Sequence, residues 1–124
     1  MEQQNNIYNI LKPKSRADIT RDLSKLSQAE LNDKLISASR NGHKDVVSML
    51  LQAGAQVDAK DTYGWTALMW ASSRNGYKDI VSMLLQAGAQ VDAKDNDGWT
   101  ALMLASRNGY KDVVKVLKKH GVKE

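Results

Sequence analysis

His43 and His120 are the only side chains in this 124-residue sequence whose ordinary pKa suits proton transfer near neutral pH, and no cysteine is present to serve as nucleophile or thiolate ligand. No Ser-His-Asp or Cys-His set can be assembled around either histidine. His43 occupies the same helix-entry slot as Tyr77 and Tyr110, which marks it as scaffold, and His120 lies near the C-terminus. Asp95-Asn96-Asp97-Gly98 looks like part of a calcium loop, but its twelfth position holds Ser106 where a glutamate is required. A turn accounts for those four residues. No glycine-rich loop is present that could cradle phosphate. The sequence therefore implies no catalytic residue, no cofactor, no metal site and no small-molecule substrate. The remaining chemistry is that of tryptophan, tyrosine and arginine, the types that most often dominate binding energy at protein interfaces. Two of the tryptophans, Trp65 and Trp99, stand 34 residues apart.

The elements that would position them are copies of one another. Ser48 to Asp61 recurs letter for letter as Ser82 to Asp95, and Gly64-Trp65-Thr66-Ala67-Leu68-Met69 recurs as Gly98 to Met103. Gly54 to Gly88 is also 34 residues, and Gly76 to Gly109 is 33. Each period reads as turn, helix, turn, helix. Asp61-Thr62-Tyr63-Gly64 has Asp first and Gly fourth, as a type I turn prefers, and Thr66 offers an N-capping side chain. Upstream, Ser27-Gln28-Ala29-Glu30 is a capping box, behind which Leu31, Leu35, Ile36 and Ala38 form a buried stripe that Gly42 ends. The next helix carries Val46, Val47, Met49, Leu50 and Leu51, too many for a narrow stripe, so it is expected to be covered on more than one side.

Length allows one small domain, and 42% hydrophobic with 26% charged residues argues for a folded chain. No run of residues approaches a membrane span or a signal peptide. A cytoplasmic location is the default, and delivery into another cell as an effector is compatible with it. Residues 107–124 carry six basic groups against two acidic ones, which equals the whole net charge of +4.

A period near 33 residues, built as a β-turn and two helices, resembles the ankyrin repeat. The resemblance rests on Asp61, Gly64, Thr66, Leu68, Ala71, Gly76, Val81, Leu84-Leu85 and Gly88-Ala89, and again on Asp95, Gly98, Thr100, Leu102, Ala105, Gly109, Val114, Leu117 and Gly121. It implies an all-α helical solenoid with turn fingers. On this reading residues 1–14 are a weakly ordered lead and 15–26 a capping helix, with Ser15 to Asp18 as its capping box and Ile19, Leu23 and Leu26 as its stripe. Repeats follow at 27–60, 61–94 and 95–124. Lys115 and Lys118 stand where inner copies have Ser48, Ser82 and Leu51, Leu85, as expected of a polar C-terminal cap. With both ends capped, the chain reads as a complete protein and a monomer.

Two departures from the family pattern matter. The usual Thr-Pro-Leu-His is Thr66-Ala67-Leu68-Met69 and Thr100-Ala101-Leu102-Met103 here. Methionine is expected to pack only, where the family's histidine makes hydrogen bonds. Four residues separate Ala71 from Gly76, whereas three separate Ala105 from Gly109. An extra residue inside a helix would rotate everything after it by about 100°. It must therefore be absorbed near Ser72 to Asn75 as a bulge or a longer turn, with helices in the second and third repeats that differ in length or shape.

The resemblance implies a non-catalytic module that binds a protein partner on its concave face. Carried onto this chain, the partner-binding positions are Thr62, Tyr63 and Trp65, then Asn96, Asp97 and Trp99 at the turn tips, with Trp70, Ser73, Arg74, Leu104 and Arg107 on the helices. Trp65 and Trp99 could equally stack as scaffold, Trp70 could pack between helices, and Tyr63 stands out because its counterpart is Asp97. One alternative is a nucleic-acid or anionic-membrane binder through Lys111, Lys115, Lys118, Lys119 and Lys123; another is a consensus-like engineered scaffold without a native partner.

Overall fold

The computed structural model describes Leu23, residues 25–74 and residues 77–121. The Ser15 capping box and the lead before it lie outside these residues. Among the described residues the fold is all-α, in three helical pairs: α1 (Gln28–Asn41) with α2 (Lys44–Gln52), α3 (Ala67–Ser73) with α4 (Lys78–Gln86), and α5 (Ala101–Arg107) with α6 (Lys111–Lys119). The first helices α1, α3 and α5 pack side by side in one layer, and α2, α4 and α6 form the second. Each pair buries its apolar faces against its neighbours, which is how a 34-residue unit too small for its own core is stabilised.

The first pair starts as the capping box dictates. Ser27 Oγ accepts from the Glu30 N–H at 3.2 Å, and Glu30 Oε1 accepts from the Ser27 N–H at 3.1 Å. The backbone bond from Ser27, with help from its side chain, holds the Glu30 carboxyl below its ordinary pKa. Leu31, Leu35, Ile36 and Ala38 are buried as expected, and Leu23 joins the same core. Because this pair lacks the Asp-x-x-Gly turn, α1 runs for 14 residues where α3 has seven. Asn32 on the extra turns substitutes for the missing finger. Its Oδ1 accepts from the Gln56 N–H at 2.7 Å and its Nδ2 donates to Gln56 Oε1 at 3.0 Å.

Equivalent positions in successive pairs show which neighbour covers what. Leu50, Leu84 and Leu117 are fully buried between the layers. Val46 is 39% exposed while its counterparts Ile80 and Val113 are buried, so that slot is covered from the preceding pair. Helix α2 packs on both α1 and α4, as its broad apolar surface requires, with Val47 and Leu50 buried and Met49 and Leu51 half-buried.

The extra residue falls between α3 and α4. Helices α3 and α5 are equal at seven residues, against the expected difference in length, so no bulge is needed. The bond that closes each helix onto the next is kept: His43 N–H donates to Ala38 at 2.9 Å, Tyr110 N–H to Ala105 at 3.0 Å and Tyr77 N–H to Ala71 at 3.0 Å. The last of these spans one residue more. The addition is therefore taken up between α3 and α4, and the register of α4 is preserved.

The methionine departure also differs from its expectation. Thr66 Oγ1 accepts from the Met69 N–H at 3.3 Å, and Met69 Sδ accepts from the Thr66 N–H at 3.5 Å. The thioether thus closes a weak capping box where glutamate normally would. It can do so because α5 covers the site and leaves Met69 1% exposed, whereas Met103, with an identical local sequence, is 48% exposed.

Ser39 and Ser72 occupy one slot on α1 and α3, fully buried, and neither hydroxyl has a hydrogen-bond partner. Removing such a hydroxyl while keeping the small volume recovers its desolvation cost of roughly 1 kcal/mol. Ser72→Ala should therefore raise the urea midpoint, and Ser106→Ala, at the exposed counterpart, should leave it unchanged.

Candidate interaction surface

Asp61 builds the first turn finger. Its Oδ1 accepts from the N–H groups of Tyr63 and Trp65, both at 2.9 Å, and its carbonyl accepts from the Gly64 N–H at 2.9 Å. Its own N–H donates to the Trp65 carbonyl at 2.9 Å. A short carboxylate side chain at the head of a turn is what allows this local closure. Asp95 repeats it on Asp97 and Trp99 at 2.8 Å. The fingers then lock to one another at the repeat spacing. Asn96 donates its Nδ2 to the Thr62 carbonyl at 3.2 Å and its N–H to the Tyr63 carbonyl at 3.3 Å, and Lys60 Nζ donates to the Lys94 carbonyl at 2.9 Å.

On this frame sits an aromatic cluster. Asp61 Oδ2 accepts from Trp70 Nε1 at 2.8 Å. The Trp65 and Trp70 rings lie 4.5 Å apart, tilted by 49°, and the Arg40 guanidinium lies 5.4 Å from the Trp70 ring centroid. In the next unit Arg107 lies 5.2 Å from the Trp99 ring. These are cation–π distances.

The expected residues divide accordingly. Tyr63 is 66% exposed at the finger tip, and Thr62, Arg74, Asn96, Asp97 and Arg107 are exposed as well. Trp65, Trp70, Ser73 and Trp99 are half-buried, with one side in the scaffold. Ser73 holds the stack together, since its carbonyl accepts from Asn108 Nδ2 at 3.1 Å. Leu104 is 5% exposed and belongs to the core, because the aliphatic side chain that replaces Trp70 has no polar edge to reach a finger. Arg74 leaves the helix at an extended C-cap, φ −107° and ψ 112°, where Asn108 in the next unit stays helical.

Sequence reasoning missed Arg40 and the second role of Asp61. Arg40-Asn41-Gly42 reads as a helix stop, yet it matches Arg74-Asn75-Gly76 and Arg107-Asn108-Gly109, both of which carry an arginine on the candidate surface. That equivalence was the available signal. Among the described residues no group of three or more His, Asp or Glu side chains is placed to hold a metal ion, and no helix is long and apolar enough to cross a membrane.

The family profile described as ankyrin repeats (three copies) matches residues 16–95 and again 35–124. The chain belongs to the ankyrin repeat family. Ankyrin repeats generally mediate protein–protein interaction and are typically non-catalytic. A 50-residue stretch of this ankyrin chain is 40% identical to the ankyrin repeat domain-containing protein SAT10 of Stachybotrys chartarum. That stretch is 40% of this chain and 3% of the relative, so the chain spans a small fraction of the protein it matches.

Proposed function

We propose that this ankyrin array binds a protein partner on the concave face formed by its finger tips and first helices, with Tyr63 as the central contact and Arg74, Asp97 and Arg107 around it. The observation that carries the reading is the exposure of Tyr63, 66%, on a finger fixed by Asp61 from within and by Asn96 from the next repeat. A large amphipathic side chain on a backbone that is already ordered loses little entropy on binding. Trp65 and Trp99 offer one face each to the same partner, while their other faces pack on the scaffold. The proposed repeats keep the limits 27–60, 61–94 and 95–124.

The test is affinity capture from the source cell with the wild-type chain and a Tyr63→Ala/Arg74→Ala variant. Both side chains are exposed, so the variant should melt within a few degrees of wild type. It should lose its captured partner by at least about thirtyfold, the effect of a single strong hot spot. Capture of the same partner at equal yield by both chains would overturn the reading.

A further inference from the structure

The second repeat carries within itself a ligand that the third repeat lacks. In the second, Asp61 Oδ1 holds the finger, Asp61 Oδ2 accepts from Trp70 Nε1 at 2.8 Å, and the Trp70 ring lies 4.5 Å from that of Trp65. One carboxylate oxygen and one ring thus form a socket for an indole. In the third repeat the acceptor and the ring recur. Asp95 Oδ1 accepts from the N–H groups of Asp97 and Trp99, and Trp99 stands in the slot of Trp65. The indole does not recur. Its slot holds Leu104, which is 5% exposed and packs in the core. Asp95 Oδ2 consequently has no hydrogen-bond or ion-pair partner among the described residues. Nor is that oxygen buried: among those residues, the side-chain polar atoms buried without a partner are the hydroxyls of Ser39 and Ser72. Position in the array does not produce this difference. Asp61 and Trp65, with a repeat stacked beyond them, are half-buried, and so are Asp95 and Trp99. The cause lies inside the repeat, in Leu104 against Trp70.

We infer that Asp95 Oδ2 and the Trp99 ring form an indole subsite that takes a tryptophan side chain of the partner protein, a step that rests on the concave-face reading above. The partner residue stands as Trp70 stands in the second repeat, with Nε1–H donated to the carboxylate and its ring against Trp99. A hydrogen bond to an ionised acceptor is roughly twice as strong as a neutral one, so it fixes the ring as well as holding it. Phenylalanine offers the ring without the donor. A partner arginine or lysine would satisfy Asp95 but would meet the like charge of Arg107, whose guanidinium lies 5.2 Å from the Trp99 ring. A neutral indole avoids that repulsion. It also gives the exposed Arg107 a second ring to lie against, as Arg40 lies 5.4 Å from the ring of Trp70.

The probe is an acetylated, amidated Gly-Trp-Gly peptide titrated into the full isotope-labelled chain, with the indole N–H resonance of Trp99 as reporter. One indole should bind with a dissociation constant of roughly 1–10 mM. The same peptide built with Nε1-methyltryptophan keeps the ring and removes the donor, and it should bind at least about fivefold more weakly, as should peptides with Phe or Arg in that position. Asp95→Asn keeps an oxygen for the finger and puts an amide donor in place of Oδ2. It should weaken the tryptophan peptide by at least about fivefold and change the methylated one by less than about twofold. Leu104→Trp should fill the subsite from within and abolish binding; Asp95→Asn carries the test if that variant does not fold. Equal affinity for the tryptophan and methylated peptides, tighter binding of the arginine peptide, or no binding up to about 50 mM would overturn the proposal. Partner capture separates it from the reading on which it rests. Capture lost with Tyr63→Ala/Arg74→Ala but kept with a folded Leu104→Trp would overturn the indole subsite alone. Peptide binding as expected, with capture unchanged by Tyr63→Ala/Arg74→Ala, would overturn the concave-face reading alone.

Discussion

Gly64→Ala should destabilise the array by about 2–5 kcal/mol, and Gly98→Ala by only about 1–2 kcal/mol, although the two glycines sit at the same place in identical Gly-Trp-Thr-Ala-Leu-Met segments. Both have left-handed backbones, with φ 77° and 84°, so any Cβ costs each position roughly 1–2 kcal/mol through its clash with the following carbonyl. The difference comes from the neighbour. A Cβ at Gly64 would lie 2.5 Å from Asn96 Oδ1 and 2.9 Å from the Asn96 backbone nitrogen. Turning the amide away would relieve the first clash but not the second, since the backbone N–H of Asn96 is bonded to Tyr63. The finger would have to separate from its neighbour, with an overpacking cost of about 1–3 kcal/mol added to the strain. Urea unfolding of the two variants measures the difference directly. Equal losses would mean that the fingers do not stack as described, and an Asn96→Ala background should recover only the side-chain part of the excess.

This contrast bears on what the sequence could reveal. Spacing alone located the turns, the caps at Ser27 and Thr66, and the core stripe Leu31, Leu35, Ile36 and Ala38, because these depend on residues close in sequence or on a fixed period. It also placed the extra residue between Ala71 and Gly76. It could not say whether α3 itself or the segment after it takes up the addition, since that depends on packing between repeats. Nor could it separate Met69 from Met103, or Gly64 from Gly98. Their sequences are the same, and they differ only in whether another repeat lies above them. The candidate surface was legible to the same degree. Tyr63 stood out because the copies disagree there, and it is exposed. Leu104 stood out for the same reason, and it is buried. Disagreement between copies marks both a changed contact and a changed core, and only packing separates them. Arg40 was hidden because its partner, Trp70, belongs to the next repeat.

Asp61→Ala should cost about 2–4 kcal/mol, and Asp95→Ala about 1–2 kcal/mol. The two carboxylates have one role in common, since each accepts two backbone N–H groups of its own finger at 2.8–2.9 Å. Asp61 has a further one, the bond from Trp70 Nε1 at 2.8 Å, for which Leu104 provides no equivalent. Alanine at 61 leaves the indole N–H and the half-buried Trp65 N–H without acceptors, and hydrogen bonds to an ionised acceptor are roughly twice as strong as neutral ones. A double-mutant cycle with Trp70→Leu isolates this term. The coupling should be about 1–2 kcal/mol, so that in a Trp70→Leu background Asp61→Ala should cost about what Asp95→Ala costs. Coupling near zero would show that Trp70 is held by Trp65 and Arg40 alone. The same variant also tests why Tyr63 can serve as a contact. Asp61→Ala leaves the tyrosine in place but frees the finger that presents it, so partner capture should fall even in protein that remains folded. If capture is unaffected, pre-organisation of the finger is not what gives Tyr63 its role.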